Sequence, residues 1–125
     1  MAAILIVEDD AYCARLLNIR LEHAGHTVMV ATDGNAALQV IRESLPDLIV
    51  LDLLLPKLNG AQLAQQLRHD PRTASIPILL VTAVGERSSH AVIAARTVDA
   101  VLIKPIDFVQ FQQHINTLLA CAPRM

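Results

Sequence analysis

Five short apolar runs, each followed by residues at helical spacing, constrain this chain more than any other feature. The clearest is Leu48-Ile49-Val50-Leu51, preceded by Asp47 and ended by Asp52, with Pro56 shortly after. An unbroken run of this length reads as a strand buried on both faces, the kind found inside a parallel sheet. Ala2–Val7, Thr27–Ala31, Ile76–Val81 and Ala100–Ile103 are the other four. Pro77 fits only at the beginning of its strand. Between the runs, apolar residues recur at helical intervals: Ala14, Leu17, Leu21 and Ala24; Ala37, Leu38, Ile41 and Leu45; Leu63, Ala64 and Leu67. A weaker helix is predicted from Gly85 to Arg96, with Val92, Ile93 and Ala95 inward. A last one carries Phe108, Phe111, Ile115 and Leu118 behind an Asp107 cap. Gly25, the Thr32-Asp33-Gly34-Asn35 turn, Pro46 and Asp70-Pro71 punctuate the pattern. Strand and helix alternating five times predict a parallel sheet covered on both faces through right-handed crossovers.

The 125 residues fit one domain, 1–125, and 54% hydrophobic content with 18% charged residues supports a packed core rather than disorder. Aromatics are scarce (Tyr12, Phe108 and Phe111), so Leu, Ile, Val and Ala must build that core. A net charge of −2 gives no basic footprint for direct nucleic-acid contact, and no apolar stretch is long enough to span a membrane. Met1 leads into a strand rather than a signal peptide, and Cys13 and Cys121 read as unpaired thiols. A cytoplasmic protein is the expectation.

In such sheets ligands bind beyond the carboxyl ends of the strands. Four predicted strands end there in a reactive residue: Glu8 and Asp9 after the first, Asp52 after the third, Thr82 after the fourth, Lys104 after the fifth. Singly, these residues read as a helix cap, a strand residue and a surface lysine; jointly they point to one chemistry. Two carboxylates about 4 Å apart repel by on the order of 4 kcal/mol at an effective dielectric near 20. Such a site needs cations beyond Lys104. Oxygen ligands suit Mg²⁺ or Mn²⁺, and none of the five histidines stands at a strand end. A divalent ion beside an Asp, with an ammonium and a hydroxyl near, is equipment for phosphoryl transfer onto that Asp.

Taken together, Ile6-Val7-Glu8-Asp9-Asp10, Asp33-Gly34 with Ala37-Leu38, Asp47 to Asp52 with Pro56 and Gly60, Val81-Thr82-Ala83 and Lys104-Pro105 resemble the receiver domain of two-component response regulators along the whole chain. The resemblance implies an α/β, flavodoxin-like fold: a five-stranded parallel sheet of order 2-1-3-4-5 with five helices in a three-layer sandwich. It implies Asp52 as phosphoacceptor, with Thr82 and Lys104 contacting the phosphoryl group. Mg²⁺ would be held by Asp9, Asp52 and the Leu54 backbone carbonyl, with Glu8 acting through water, and Lys104–Pro105 would be cis. The implied donor is a histidine kinase or histidine phosphotransfer protein; the implied output is a downstream protein, an effector domain or a phosphorylation-dependent homodimer. The chain would catalyse its own phosphorylation and dephosphorylation without being a turnover enzyme. The implied response moves Thr82 and Lys104 and reshapes the face built from the fourth helix, fifth strand and last helix.

Some positions depart from the family pattern. Val101 stands where many receivers place an aromatic that swings inward as a partner to the threonine, and Thr97 replaces a common glycine. Leu54 and Val84 cannot orient a water by hydrogen bonding, which predicts slow self-dephosphorylation. A phosphorylation-independent protein-binding module of the same fold is the alternative that Val101 keeps open, although all five chemical positions are filled, which argues against it. An aspartyl-phosphate hydrolase of the haloacid dehalogenase type would need a second Asp where Leu54 stands. A flavin or nucleotide binder would need a glycine-rich loop where Glu8-Asp9-Asp10 stands. The chain is expected to be either a single-domain regulator or a receiver cut from a longer protein.

Overall fold

The computed structural model describes residues 2–55, 58–83 and 96–121. Its elements run β1 (Ala3–Val7), α1 (Ala11–His23), β2 (Thr27–Ala31), α2 (Gly34–Glu43), β3 (Leu48–Asp52), α3 (Gly60–His69), β4 (Ile78–Ala83), β5 (Ala100–Lys104) and α4 (Phe108–Cys121). All four strand pairings are parallel and the order is β2-β1-β3-β4-β5, as expected. Four helices stand among the described residues where five were expected. The helix predicted from Gly85 to Arg96 lies outside them except for Arg96, which is helical together with Thr97.

Alternation along each strand sorts the core into two layers, because successive side chains point to opposite faces of a sheet. Leu5 and Val7, Ile49 and Leu51, Ile78 and Leu80 face α2 and α3, meeting Ala37, Ile41, Leu63, Ala64 and Leu67. Ile4 and Ile6, Leu48 and Val50, Leu79 and Val81 face the other way, onto Ala14, Leu17 and Leu21 of α1 and Phe111 and Ile115 of α4. The central strands β1, β3 and β4 are therefore apolar on both sides, which is why their sequences read as unbroken runs.

Most helix starts are capped by side chains. Asp10 Oδ1 accepts from Tyr12 N at 3.0 Å and Cys13 N at 3.4 Å. Asp33 Oδ1 accepts from Ala36 N at 2.8 Å. Asn59 and Gln62 form a reciprocal capping box at the head of α3. Asp107 Oδ1 accepts from Val109 N at 2.9 Å, as expected of it.

Among the boundaries that differ from the sequence reading, three have a clear local reason. Pro77 has no N–H for the ladder, so β4 begins at Ile78, while the Pro77 carbonyl still accepts from Ile49 N at 3.0 Å. The backbone turns extended at Ser44 and ends α2 there, which leaves Leu45 45% exposed instead of inward. Ala24 is the exposed C-cap of α1, and Gly25 follows at φ 95°, a conformation that favours glycine.

Far from the carboxyl ends of the strands, Arg68 fastens the opposite rim. Its guanidinium donates to the carbonyls of Thr97 (2.9 Å), Ala74 (3.0 Å) and Ile76 (2.7 Å) and to Asp99 Oδ2 (2.6 Å). Asp99 Oδ2 also accepts from Ile78 N at 2.7 Å, so one ion pair ties together the starts of β4 and β5. No helix among the described residues is long and apolar enough to cross a membrane.

Candidate functional site

Parallel pairing carries the ends of β1, β3, β4 and β5 to one rim, and the polar residues that end those runs meet there. Glu8 and Asp9 leave β1, Asp52 ends β3, Thr82 lies near the end of β4, and Lys104 ends β5. One oxygen from each of Glu8, Asp9 and Asp52 lies within 4.8 Å of the others. Glu8, Asp52 and Thr82 are buried, while Asp9 opens to solvent. Asp10 faces away to cap α1, which leaves Asp9 as the exposed member of the acidic group.

Lys104 bridges the two buried acids. Its Nζ donates to Glu8 Oε1 at 3.1 Å and stands 3.6 Å from Asp52 Oδ2. The sequence reading placed one ammonium among the acids without choosing a partner; the structure gives the shorter contact to Glu8. Burial pushes Asp52 up to about 7, helped by the hydrogen bond and negative charge of Glu8. Burial also works to raise Glu8, but hydrogen bonds from Asp52, Lys104 and the Asp10 amide outweigh it and hold Glu8 below its ordinary value. Of the two carboxyls, Asp52 is therefore the one that takes up a proton more readily, while Glu8 stays ionised beside Lys104. Burial alone would lower Lys104, yet the Glu8 hydrogen bond and the charges of Asp52 and Glu8 keep it above its usual range. The Cys13 thiol, half-buried beside Glu8, is pushed up to about 12 by burial and by that acid, so it stays protonated and inert.

The Thr82 hydroxyl oxygen is buried and has no hydrogen-bond partner among the described residues. A buried hydroxyl left unsatisfied costs about 1–3 kcal/mol. Leu54 N donates to Asp52 Oδ1 at 3.4 Å, and Leu54 itself is 61% exposed. Val84, the other apolar position noted in the sequence, lies outside the described residues. Val101 is 38% exposed on β5, and the Lys104–Pro105 bond is cis, as the resemblance implied. The described histidines have other surroundings: His26 Nδ1 accepts from Ala2 N at 3.2 Å, and His69 Nδ1 lies 2.7 Å from the Gln65 carbonyl.

Two contacts at the site escaped the sequence reading. Gly60 N donates to Leu53 O at 2.9 Å, folding the chain after β3 back onto the end of that strand. The Asp10 amide steadies Glu8 Oε2 at 3.3 Å. The first had a signal in the sequence, a glycine at the head of a helix eight residues after Asp52; the second had none.

A five-stranded parallel sheet of this order, with an all-oxygen acidic cluster and a lysine at its carboxyl rim, defines the class of flavodoxin-like signalling domains. The sequence matches the response regulator receiver domain over residues 4–116. The chain belongs to that family, the receiver domains of two-component systems. It is 38% identical to the DNA-binding dual master transcriptional regulator RpaA of Synechocystis, over all of this chain and 52% of that protein. It is 33% identical to the protein PilH of Pseudomonas aeruginosa, over 96% of this chain and 99% of that one. Among solved structures, the signal receiver domain of a signal transduction histidine kinase from Syntrophus aciditrophicus superposes with a TM-score of 0.92 at 29% identity, covering 100% of this chain and 95% of that one. The chain spans about half the length of the curated relatives it matches first.

Proposed function

We propose that this chain accepts a phosphoryl group on Asp52 from a phosphohistidine of a kinase or phosphotransfer protein, in a reaction that requires Mg²⁺ or Mn²⁺. The observation that carries this reading is the gathering of three carboxylates and one ammonium at a single rim, with an unpartnered hydroxyl beside them. The donor set fits a hard divalent ion: oxygens only, some buried and one open to water. Asp9, Asp52 and the Leu54 backbone carbonyl would hold it, with Glu8 acting through water. Bound there, it would neutralise the excess negative charge and the charge developing on the phosphoryl oxygens.

The chain's own residues supply the rest. An oxygen of Asp52 attacks phosphorus while the P–N bond to the donor imidazole breaks, and the imidazole leaves by taking a proton. Asp52 must be ionised to attack, so any proton it holds beside Glu8 has to depart first. Lys104 stands between Glu8 and Asp52 and can turn from one to a phosphoryl oxygen on the other. Thr82 can donate its free hydroxyl to a second oxygen. The product carries about −1.5 to −2 charge where a single carboxyl stood. Drawing Thr82 and Lys104 toward that charge would shift the ends of β4 and β5 and the protein-binding face beside them, Val101 included.

We place this receiver unit in the cytoplasm, with a downstream protein, an effector domain or a second copy of the chain as its target. It acts on itself and does not turn over a substrate. To test the reading, the protein is incubated with acetyl phosphate and Mg²⁺ and its intact mass measured. One phosphoryl group, absent in Asp52→Asn and without the divalent ion, supports it. No adduct under any condition supports a phosphorylation-independent binding module, and steady phosphate release over many turnovers supports a hydrolase.

A further inference from the structure

Two helix-leading glycines touch the loop that follows Asp52. Gly60 opens α3 directly against the end of β3. A Cβ built on it would lie 2.8 Å from Leu53 Cα and nearer still to the Asp52 carbonyl oxygen, both backbone atoms that cannot rotate away. Gly34 opens α2 against the same loop, where a Cβ would meet Leu58 Cβ and O, each at 2.7 Å. Lack of space, rather than an unusual backbone angle, is what requires glycine at these two positions. Between the two contacts runs the segment that leaves Asp52, and Gly60 N closes it with a hydrogen bond to Leu53 O at 2.9 Å.

We propose that Gly60 is a positioning residue for phosphoryl transfer. Its bare Cα lets the first turn of α3 rest on the Asp52 and Leu53 backbone, and this contact sets where the Asp52 carboxylate and the peptides after it stand relative to Glu8 and Asp9. Gly34 supports the same loop one contact further out, through Leu58. The proposal rests on the reading of Asp52 as phosphoacceptor.

The magnitude follows from the geometry. Bringing an alanine Cβ at position 60 to an ordinary contact of 3.4 Å with Leu53 Cα requires a shift of about 0.6 Å, and the Asp52 carbonyl demands more. Reacting constellations tolerate about 0.5 Å, and a misplacement near 1 Å can cost about a hundredfold in rate. Mg²⁺ is equally exacting, since it binds at 2.0–2.1 Å in near-octahedral geometry. Gly60→Ala is thus expected to harm ion binding and transfer beyond what its loss of stability explains.

The experiment compares Gly60→Ala, Gly34→Ala and Gly25→Ala with the wild-type chain. Gly25 lies at the opposite rim with open space around it but a φ of 95°, so its alanine variant loses stability without touching the site. Mg²⁺ affinity is read by calorimetry, phosphoryl uptake from acetyl phosphate at saturating Mg²⁺ by intact mass, and stability by thermal melting without the ion. Gly60→Ala is expected to weaken Mg²⁺ about tenfold or more and to slow uptake at least as much. Gly34→Ala is expected to weaken Mg²⁺ about threefold, and Gly25→Ala to lower the melting temperature alone. Gly60→Ala matching wild type, or losing affinity no more than Gly25→Ala does, overturns the proposal. Should Gly60→Ala fail to fold, Gly34→Ala decides: unchanged Mg²⁺ affinity there is equally fatal. If wild type takes up no phosphoryl group, the Asp52 reading fails, while the Mg²⁺ comparison still judges Gly60.

Discussion

Binding of Mg²⁺ should be governed by the proton that Asp52 takes up beside Glu8. Burial and the neighbouring acid push Asp52 up to about 7. At pH 6 about nine molecules in ten then hold the proton, and at pH 8 about one in ten. An ion that coordinates Asp52 must displace it, so the apparent Kd is expected to be about tenfold weaker at pH 6 than at pH 8, on the order of 1.4 kcal/mol. An Asp titrating at its ordinary 3.8 would show no difference across this range. Calorimetry in buffers of different ionisation enthalpy checks this directly, since nearly one proton per ion should be released at pH 6 and almost none at pH 8. The same shift fixes the stability of the ion-free chain. On unfolding Asp52 returns to about 3.8, so between roughly pH 4 and 7 the folded chain holds one proton more than the unfolded chain. Stability without the ion therefore falls as pH rises through that window. Glu8 works the other way: its contribution is present above 4.5 and is lost as pH falls through its lower folded value. Equal Mg²⁺ affinities at pH 6 and pH 8, with no proton released, would refute the raised proton affinity of Asp52.

Other perturbations separate the roles at the rim. Lys104→Met should slow phosphoryl uptake by about 10²–10³, the usual loss when a preorganised donor to a developing charge is removed. The same change should tighten Mg²⁺ binding severalfold in a calorimetric titration, because the ammonium at 3.1 Å no longer shares Glu8. Thr82→Val keeps the shape and removes the unpartnered hydroxyl, so thermal melting should show stability unchanged or raised by about 1 kcal/mol while uptake slows about a hundredfold. Leu54→Asn replaces an exposed apolar residue two positions after Asp52 with a group able to orient water, and should shorten the lifetime of the phosphorylated chain about tenfold when its decay is followed by intact mass.

Much of this architecture could be read before any coordinates. Leu48 to Leu51 is apolar without interruption because both faces of β3 are covered, and a run bounded by Asp47 and Asp52 has few other uses. The same logic located the other strands to within about two residues. Parallel pairing then implied that Glu8, Asp52, Thr82 and Lys104 share an edge, and they do. What escaped the sequence depends on geometry between distant segments. Nothing in the order of residues says that Asp10 rather than Asp9 turns away to cap α1, or that Lys104 leans toward Glu8. Asp47 accepts from Ala3 N at 2.8 Å, and Arg68 reaches three carbonyls and Asp99; both look like ordinary surface charges in one dimension. Leu45 carried a helical spacing that the early end of α2 cancelled. Gly60 was visible as a residue but not as a contact, since the closeness of α3 to the Asp52 carbonyl is a property of the packed chain.

The most direct measurement locates the phosphoryl group itself. After reaction with acetyl phosphate and Mg²⁺, borohydride reduction converts an acyl phosphate on aspartate to homoserine, and peptide mass spectrometry reads its position. Homoserine at position 52 alone, absent when the divalent ion is chelated, is the predicted outcome. Label at Glu8 or Asp9, or label at position 52 that persists without the ion, would contradict the account.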